Sequence, residues 1–187
     1  MRALVRRFDR WLSRRYGVFE FSQQPDCLLR LQVAAARREL ALPGCRVRGG
    51  ERVLLLHLWN ERLLTLAAPA PGLGWGKTLQ RRMLRSLGEA ACYLDCHPEL
   101  GQARAVGGVT VLLATGGARL VRRLGFTVLP YHSPLGRFGE FWENFYTWIL
   151  MWTYNPASLP YRSLWSLRRK EFWMPAEEFR RRFGHET

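Results

Sequence analysis

The order of apolar and polar residues at the start of the chain predicts an amphipathic helix over residues 1–16. Its apolar positions are 4, 5, 8, 11, 12 and 16, which fall on one face of a helix. Residues 75–94 have the same spacing, with Arg81, Arg82 and Arg85 on the polar side. A proline shortly after this segment ends the helical pattern. The sequence therefore predicts amphipathic helices at 1–16 and 75–94.

Two segments between these helices have strand-like patterns. Residues 28–34 alternate in their centre, and residues 38–42 precede a Pro-Gly turn signal, so we expect the two to form a hairpin. Residues 51–60 are apolar on both faces, which indicates a central strand. Asn60 at its end is a suitable N-cap for a helix at 61–68.

Further along, strand and helix patterns continue to alternate. Residues 105–113 and 126–131 have the pattern of buried strands, and 116–125 that of a short helix whose Gly125 suits the left-handed C′ position. This order predicts an α+β fold, a single domain with a mixed β-sheet packed by helices. We divide the chain into a basic amphipathic helix (1–20), the α+β domain (21–135) and an aromatic, basic helical C-terminal extension (136–187).

The most unusual segment, 138–154, is dominated by aromatic residues. It is too short, and with Glu140 and Glu143 too charged, to span a bilayer comfortably. Trp and Tyr favour membrane–water interfaces, but an aromatic helix can equally close the domain's own core or bind another protein. The N-terminal helix likewise suits either a membrane surface or its own domain. The membrane-interface candidates are Phe8, Trp11, Trp142, Trp148 and Trp152.

Charge narrows the range of partners. The net charge is +14, and almost all of the basic residues are arginines. Such an excess suits an anionic membrane, nucleic acid or an acidic protein surface. The N-terminal segment has no apolar run of the secretory type, so we expect a cytoplasmic protein that binds peripherally to the inner face of the cell membrane.

Two short motifs resemble ligand sites. Cys92 and Cys96 with His97 supply three metal ligands at best, so we predict neither a metal site nor a cofactor. Gly76-Lys77-Thr78 resembles the end of a phosphate-binding loop, but the position that needs the first glycine is Pro71, and a helix rather than a strand precedes it. We interpret this stretch as a connection between helices.

A family resemblance rests on three stretches. They are the run Glu51 to Leu64, which includes "LHLWNERLL", then Gly108-Val-Thr110, and Leu124-Gly-Phe126-Thr-Val. With the helix 75–94 between them, they resemble the YkoP-like family of bacterial proteins over about residues 26–135. Because that domain also occurs attached to polysaccharide deacetylases, the resemblance implies an envelope or glycan setting without implying a reaction. No Asp-His metal pair of a deacetylase domain is present in this chain.

A second, superficial resemblance is to acetyltransferases. Residues 115–126 combine a glycine-bearing turn, a helix and a Leu-Gly-Phe sequence. In acetyltransferases a glycine-bearing turn opens a helix that holds a pyrophosphate. The Arg/Gln-x-x-Gly-x-Gly/Ala loop of those enzymes does not occur here in the right form.

The candidate ligand site lies at the end of the strand 51–60. His57 and Asn60 offer polar groups there, Arg62 and Arg81 offer positive charge, and the start of the following helix favours an anion. Alternatively, His57 is a hydrogen-bonded structural histidine and Asn60 only caps the helix. No residue is identified as catalytic.

The sequence predicts, first, a non-catalytic or accessory factor at the cytoplasmic membrane surface, linked to envelope polysaccharide or lipid metabolism. Its partner is an anionic membrane or an envelope-biosynthesis protein. A small transferase or hydrolase that uses the His57 pocket is the first alternative, and a single-stranded nucleic-acid-binding protein is the second.

Overall fold

The computed structural model describes residues 2–59, 61–63, 73–111, 117–131, 133, 135–154 and 168–184. The helices are α1 (Arg2–Arg15), α2 (Leu73–Cys96), α3 (Gly117–Arg123), α4 (Gly136–Tyr154) and α5 (Ala176–Phe183). The strands are β1 (Val18–Phe19), β2 (Leu29–Ala35), β3 (Leu40–Leu42), β4 (Cys45–Val47), β5 (Arg52–Leu58), β6 (Ala105–Thr110), β7 (Thr127–Pro130) and β8 (Lys170–Pro175).

The main sheet has six strands in the order β1-β2-β5-β6-β8-β7. All neighbours are antiparallel except β5 and β6, which are parallel. Parallel neighbours need a long crossover connection, and α2 belongs to that connection. The sheet is mixed and helices pack on it, so the predicted α+β class is confirmed, as are the helices predicted at 1–16 and 75–94.

The first face of the sheet carries the larger hydrophobic core. Alternating residues of β2 and β5, such as Leu31 and Leu54, point to this face and are fully buried. Helix α2 packs on it through Leu87, Ala90, Ala91 and Leu94, which repeat at helical spacing. Three aromatic rings, Phe126, Phe179 and Phe183, close the core beside α3 and α5.

The second face is covered in two different ways. The small β3–β4 hairpin packs apolar side chains against it, and Trp173 of β8 lies in this second cluster. Helix α1 covers the end of the sheet near β1 and β2, and α4 packs against α1. Polar side chains line the sheet under α1. The second face therefore carries both polar and apolar side chains, whereas the first face is apolar.

The predicted pairing of residues 28–34 with residues 38–42 is wrong. The two long edges of β2 pair with β1 and β5, which leaves no edge for β3. β3 instead pairs with β4, and the Pro-Gly signal forms the turn between them, with Gly44 at φ 69°. The segment between β2 and β5 is therefore a separate hairpin that folds back onto the sheet.

Strand β8 has no counterpart in the sequence prediction. It lies inside the sheet between β6 and β7 and belongs to the segment interpreted as a helical extension. Its pattern is obscured by Glu171, which is buried although it is charged. Arg38 and the Trp173 indole Nε1 each lie 2.9 Å from its carboxylate, which compensates for the burial.

Gly107 allows β6 and β8 to approach closely. A Cβ at this position would collide with the carbonyl oxygen of Phe172 and the ring of Trp173. We expect Gly107→Ala to lower the free energy of unfolding by about 1–3 kcal/mol, because neither backbone nor buried ring can move away freely. Urea denaturation followed by circular dichroism measures the change.

Gly76 of α2 supplies the matched control. It has open space where a Cβ would be added, so Gly76→Ala should leave stability unchanged or raise it by up to about 1 kcal/mol. Equal effects of the two substitutions would contradict the close approach at Gly107.

Candidate functional site

His57 lies on β5 and faces the second side of the sheet. It is directly opposite Arg30 in the β2–β5 register, and its Nε2 lies 2.7 Å from the Gln32 side-chain oxygen. An amide oxygen only accepts hydrogen bonds, so Nε2 carries the proton. Burial, with a smaller effect from the Arg30 charge, lowers the pKa of His57 from 6.5 to about 4. At neutral pH this histidine is uncharged and only weakly basic.

Arg30 is the buried cation of this face, with only 7% of its surface exposed. Its guanidinium lies 3.1 Å from Asp9 and 3.2 Å from Ser13, both on α1, and 3.4 Å from Glu20. The Tyr146 hydroxyl of α4 donates to the other Asp9 oxygen at 2.6 Å. A chain of charge-assisted bonds thus joins the sheet to both helices.

Trp59, just after β5, is in contact with two arginines. The guanidinium carbons of Arg30 and Arg62 lie 4.3 Å and 3.5 Å from its ring centroid. Arg62 also donates to the carbonyl oxygens of Gln24 and Cys27 at 2.7 Å and 2.9 Å. Arg62 is therefore engaged in holding the loop before β2.

The four predicted ligand residues do not all converge. His57 and Arg62 are connected through Arg30 and Trp59, while Arg81 lies on α2 and lines a different surface, a groove that contains neither of them. Asn60 lies outside the described residues. Anion binding at His57 stays a prediction.

The pairing between β5 and β6 ends beside His57. β5 and β6 pair only from Val53–Ala105 to Leu55–Gly107, although both strands continue for three more residues. At the end of the paired region, a Cβ on Gly108 would lie 2.5 Å from the Leu56 carbonyl oxygen. The parallel strands thus stop pairing just before His57.

Aromatic residues of α1 and α4 are in contact at Phe8 and Tyr146. Phe8 stacks on Trp11 with centroids 5.8 Å apart and meets the Tyr146 ring edge-on at 5.9 Å. Trp11 is 58% exposed and Trp142 50% exposed. Phe8 and Trp152 are exposed as well, whereas Trp148 is half-buried.

This surface, which we call the aromatic face, also includes other exposed apolar side chains of the two helices. They are Leu4 of α1 and Phe138 and Phe141 of α4, together with Leu135 just before α4. α1 also carries four exposed arginines, namely Arg7, Arg10, Arg14 and Arg15. Sequence periodicity identified most of the aromatic face, but could not establish that these side chains point outward.

A polar cluster around Glu143 had no signal in the sequence. Tyr131 and Ser133 donate to one Glu143 oxygen at 2.8 Å and 3.2 Å, and Arg169 lies 3.5 Å from the other. Arg169 also bonds the Glu143 carbonyl oxygen at 2.6 Å and contacts Asn144. Burial, and then the Glu143 carboxylate, raise the pKa of Tyr131. The cluster fixes α4 to the chain on either side of it.

Two further properties concern the described residues as a set. None of their helices combines the length and apolarity needed to traverse a bilayer. No group of three or more acidic, cysteine or histidine side chains among them is placed to hold a metal ion.

The low pKa of His57 makes stability depend on pH. Between pH 6.5 and 4 the unfolded chain binds a proton that the folded chain does not, so the free energy of unfolding should fall as the pH falls through this window, by roughly 3 kcal/mol. The His57→Gln side chain cannot titrate, so in this variant the free energy of unfolding should no longer include the decrease caused by His57. Urea midpoints at several pH values measure it, and an unchanged slope in the variant would assign the pH dependence to other groups.

The comparisons with known proteins give one match. The family model for the YkoP domain matches residues 30–183, which is most of the chain and includes α4, β8 and α5. No curated protein and no solved structure matches the chain significantly. The matched range covers the strands with His57 and Gly107 as well as the C-terminal strand that completes the sheet. This chain belongs to the YkoP-domain family.

Proposed function

We propose that this protein binds peripherally to the anionic inner surface of the cell membrane through the aromatic face. The observation that carries the proposal is the orientation of α1. Its polar residues Asp9 and Ser13 point inward to Arg30, while Leu4, Phe8 and Trp11 point outward. A helix docked only for folding would bury its large apolar residues, since their burial is what stabilises such docking.

The composition of the aromatic face fits a membrane–water interface. Trp and Phe side chains insert at the level of the headgroups, and exposed arginines attract anionic lipids. α4 adds Phe138 and Trp142 to the residues of α1, so two elements held together by Tyr146 and Asp9 contribute to one surface. Exposed apolar residues that cluster in this way mark an interaction site.

On this proposal the chain acts as a non-catalytic or accessory factor. His57 is neutral, weakly basic and hydrogen-bonded to Gln32, which suits a structural histidine better than a proton-transfer catalyst. The bacterial setting implied by the family resemblance favours a link to envelope polysaccharide or lipid metabolism, with an envelope-biosynthesis protein as a partner.

Vesicle co-sedimentation tests the membrane proposal. The protein should pellet with vesicles that contain phosphatidylglycerol and stay largely in the supernatant with pure phosphatidylcholine. Phe138→Ala with Trp142→Ala should weaken binding about tenfold, because two exposed rings no longer enter the interface. Arg10→Glu should weaken it by a similar factor, since each basic residue near an anionic surface contributes about 1 kcal/mol.

Arg119→Glu is the matched control. It changes the charge by the same amount on α3, which packs against the first face of the sheet, so vesicle binding should change less than threefold. If Arg10→Glu and Arg119→Glu weakened vesicle binding equally, the effect would come from the net charge of the protein and not from the position of Arg10. Equal recovery in the supernatant with and without anionic lipid would exclude membrane binding.

The interrupted pairing of β5 and β6 favours a second candidate function, a small transferase. Strand edges that stop pairing offer backbone groups to an extended ligand, and His57 lies beside them. The acetyltransferase resemblance suggests an acyl-coenzyme A as that ligand, because its long arm carries amides. Calorimetry with acetyl-coenzyme A should then show saturable binding, and no heat at millimolar ligand would exclude the candidate.

A further inference from the structure

A groove of about 1060 Å³ runs along α2. One wall consists of α2 residues from Lys77 to Cys96, and the other includes Phe21, Ser22 and Gln24 of the loop after β1. This volume is at the upper end of the range for small-molecule sites. None of its lining residues belongs to the aromatic face, so the groove is independent of the membrane proposal.

The groove is cationic at the end nearest the start of α2. Lys77, Arg81 and Arg85 follow one another at intervals of four residues and therefore form a stripe along the helix. Arg85 lies 3.8 Å from Asp26, which also pairs with the neighbouring Arg82 at 3.1 Å. Within the part of the chain that the structure describes, Lys77 and Arg81 form no salt bridge, although Asp26 and Arg81 line the same small pocket. Two positive charges therefore face the groove outside any ion pair.

Beyond this cationic end the lining becomes mainly apolar. Leu84, Gly88 and Cys92 continue the same helical stripe, and Phe21 faces Tyr93 with ring centroids 5.7 Å apart. Glu89 also lines this part and would repel an anion. A ligand with one charged end is therefore oriented, with its anionic group at Lys77 and Arg81 and its apolar part toward Tyr93.

We propose that this groove binds a single-chain lipid phosphate. The two cations outside ion pairs match the double negative charge of a phosphate monoester, and Arg in particular binds phosphate oxygens in pairs. From Lys77 to Cys92 the helix rises about 22 Å. An acyl chain fills one half of the ~30 Å hydrocarbon core of a bilayer, so it fits along Leu84, Gly88 and Tyr93 within this length.

Titration calorimetry with a short-chain, monomeric lysophosphatidate tests the proposal on the full chain. Wild-type protein should bind with a stoichiometry of one, and Arg81→Glu should weaken binding tenfold or more, because it removes a charge-assisted bond and adds repulsion. Lys77→Glu should also weaken binding, and it replaces Arg81→Glu in the test if that variant fails to fold. Arg123→Glu, an equal charge change at an exposed site on α3, should alter affinity less than threefold.

Headgroup analogues separate a lipid from a soluble phosphate. Glycerol 3-phosphate and inorganic phosphate should bind far more weakly, and affinity should rise about fourfold for each methylene added to the chain. Equal binding of glycerol 3-phosphate and lysophosphatidate would overturn the lipid assignment, because the apolar lining would then contribute nothing. Absence of lysophosphatidate binding, or equal effects of Arg81→Glu and Arg123→Glu, would overturn the site itself.

Discussion

The arrangement of this protein depends on one buried charge, the guanidinium of Arg30. A buried cation is costly unless it is paired, and on the second face of the sheet its partners come mainly from α1. Pairing with Asp9 and Ser13 turns the polar side of α1 inward. Since Tyr146 bonds the same carboxylate, α4 is attached at the same point. The positive charge next to His57 also contributes to the low pKa of that histidine.

This constraint explains why the two faces of the sheet differ in how they hold their helices. The first face has a continuous apolar core, so the helices on it, α2, α3 and α5, are held by hydrophobic burial. α1 and α4 are held by the polar contacts at Arg30 and Asp9 and also bury apolar residues such as Val5, Leu150 and Met151. Other large apolar residues of the two helices stay exposed and form the aromatic face. The proposed membrane contact thus uses apolar side chains, such as Phe8 and Trp11, that remain exposed because α1 docks through Asp9 and Ser13.

The two proposed binding surfaces have different physical characters. The aromatic face has large exposed rings and shares α1 with exposed arginines, and it suits an extended anionic interface. The groove on α2 is lined on one side by the loop after β1 and has its positive charge at one end, and it suits a single molecule. If both are occupied in the cell, the protein would hold one lipid-like molecule while lying on a membrane, which agrees with an accessory role in envelope lipid or polysaccharide metabolism.

The sequence by itself determined the elements whose signal is local. The helical periodicity at 1–16 and 75–94, the doubly apolar strand around His57 and the glycine at the end of α3 all predicted what was found, because each depends on residues close together in the chain. Only the tertiary structure decided the partners. In the structure β3 pairs with β4, and β8 lies between β6 and β7. Arg81 lines a groove that does not include His57, and the side chain of Trp11 is exposed. Those outcomes depend on contacts between residues far apart in the chain, such as the strand edges that remain open and the groups that pair with the buried charges of Arg30 and Glu171. No local pattern encodes such contacts.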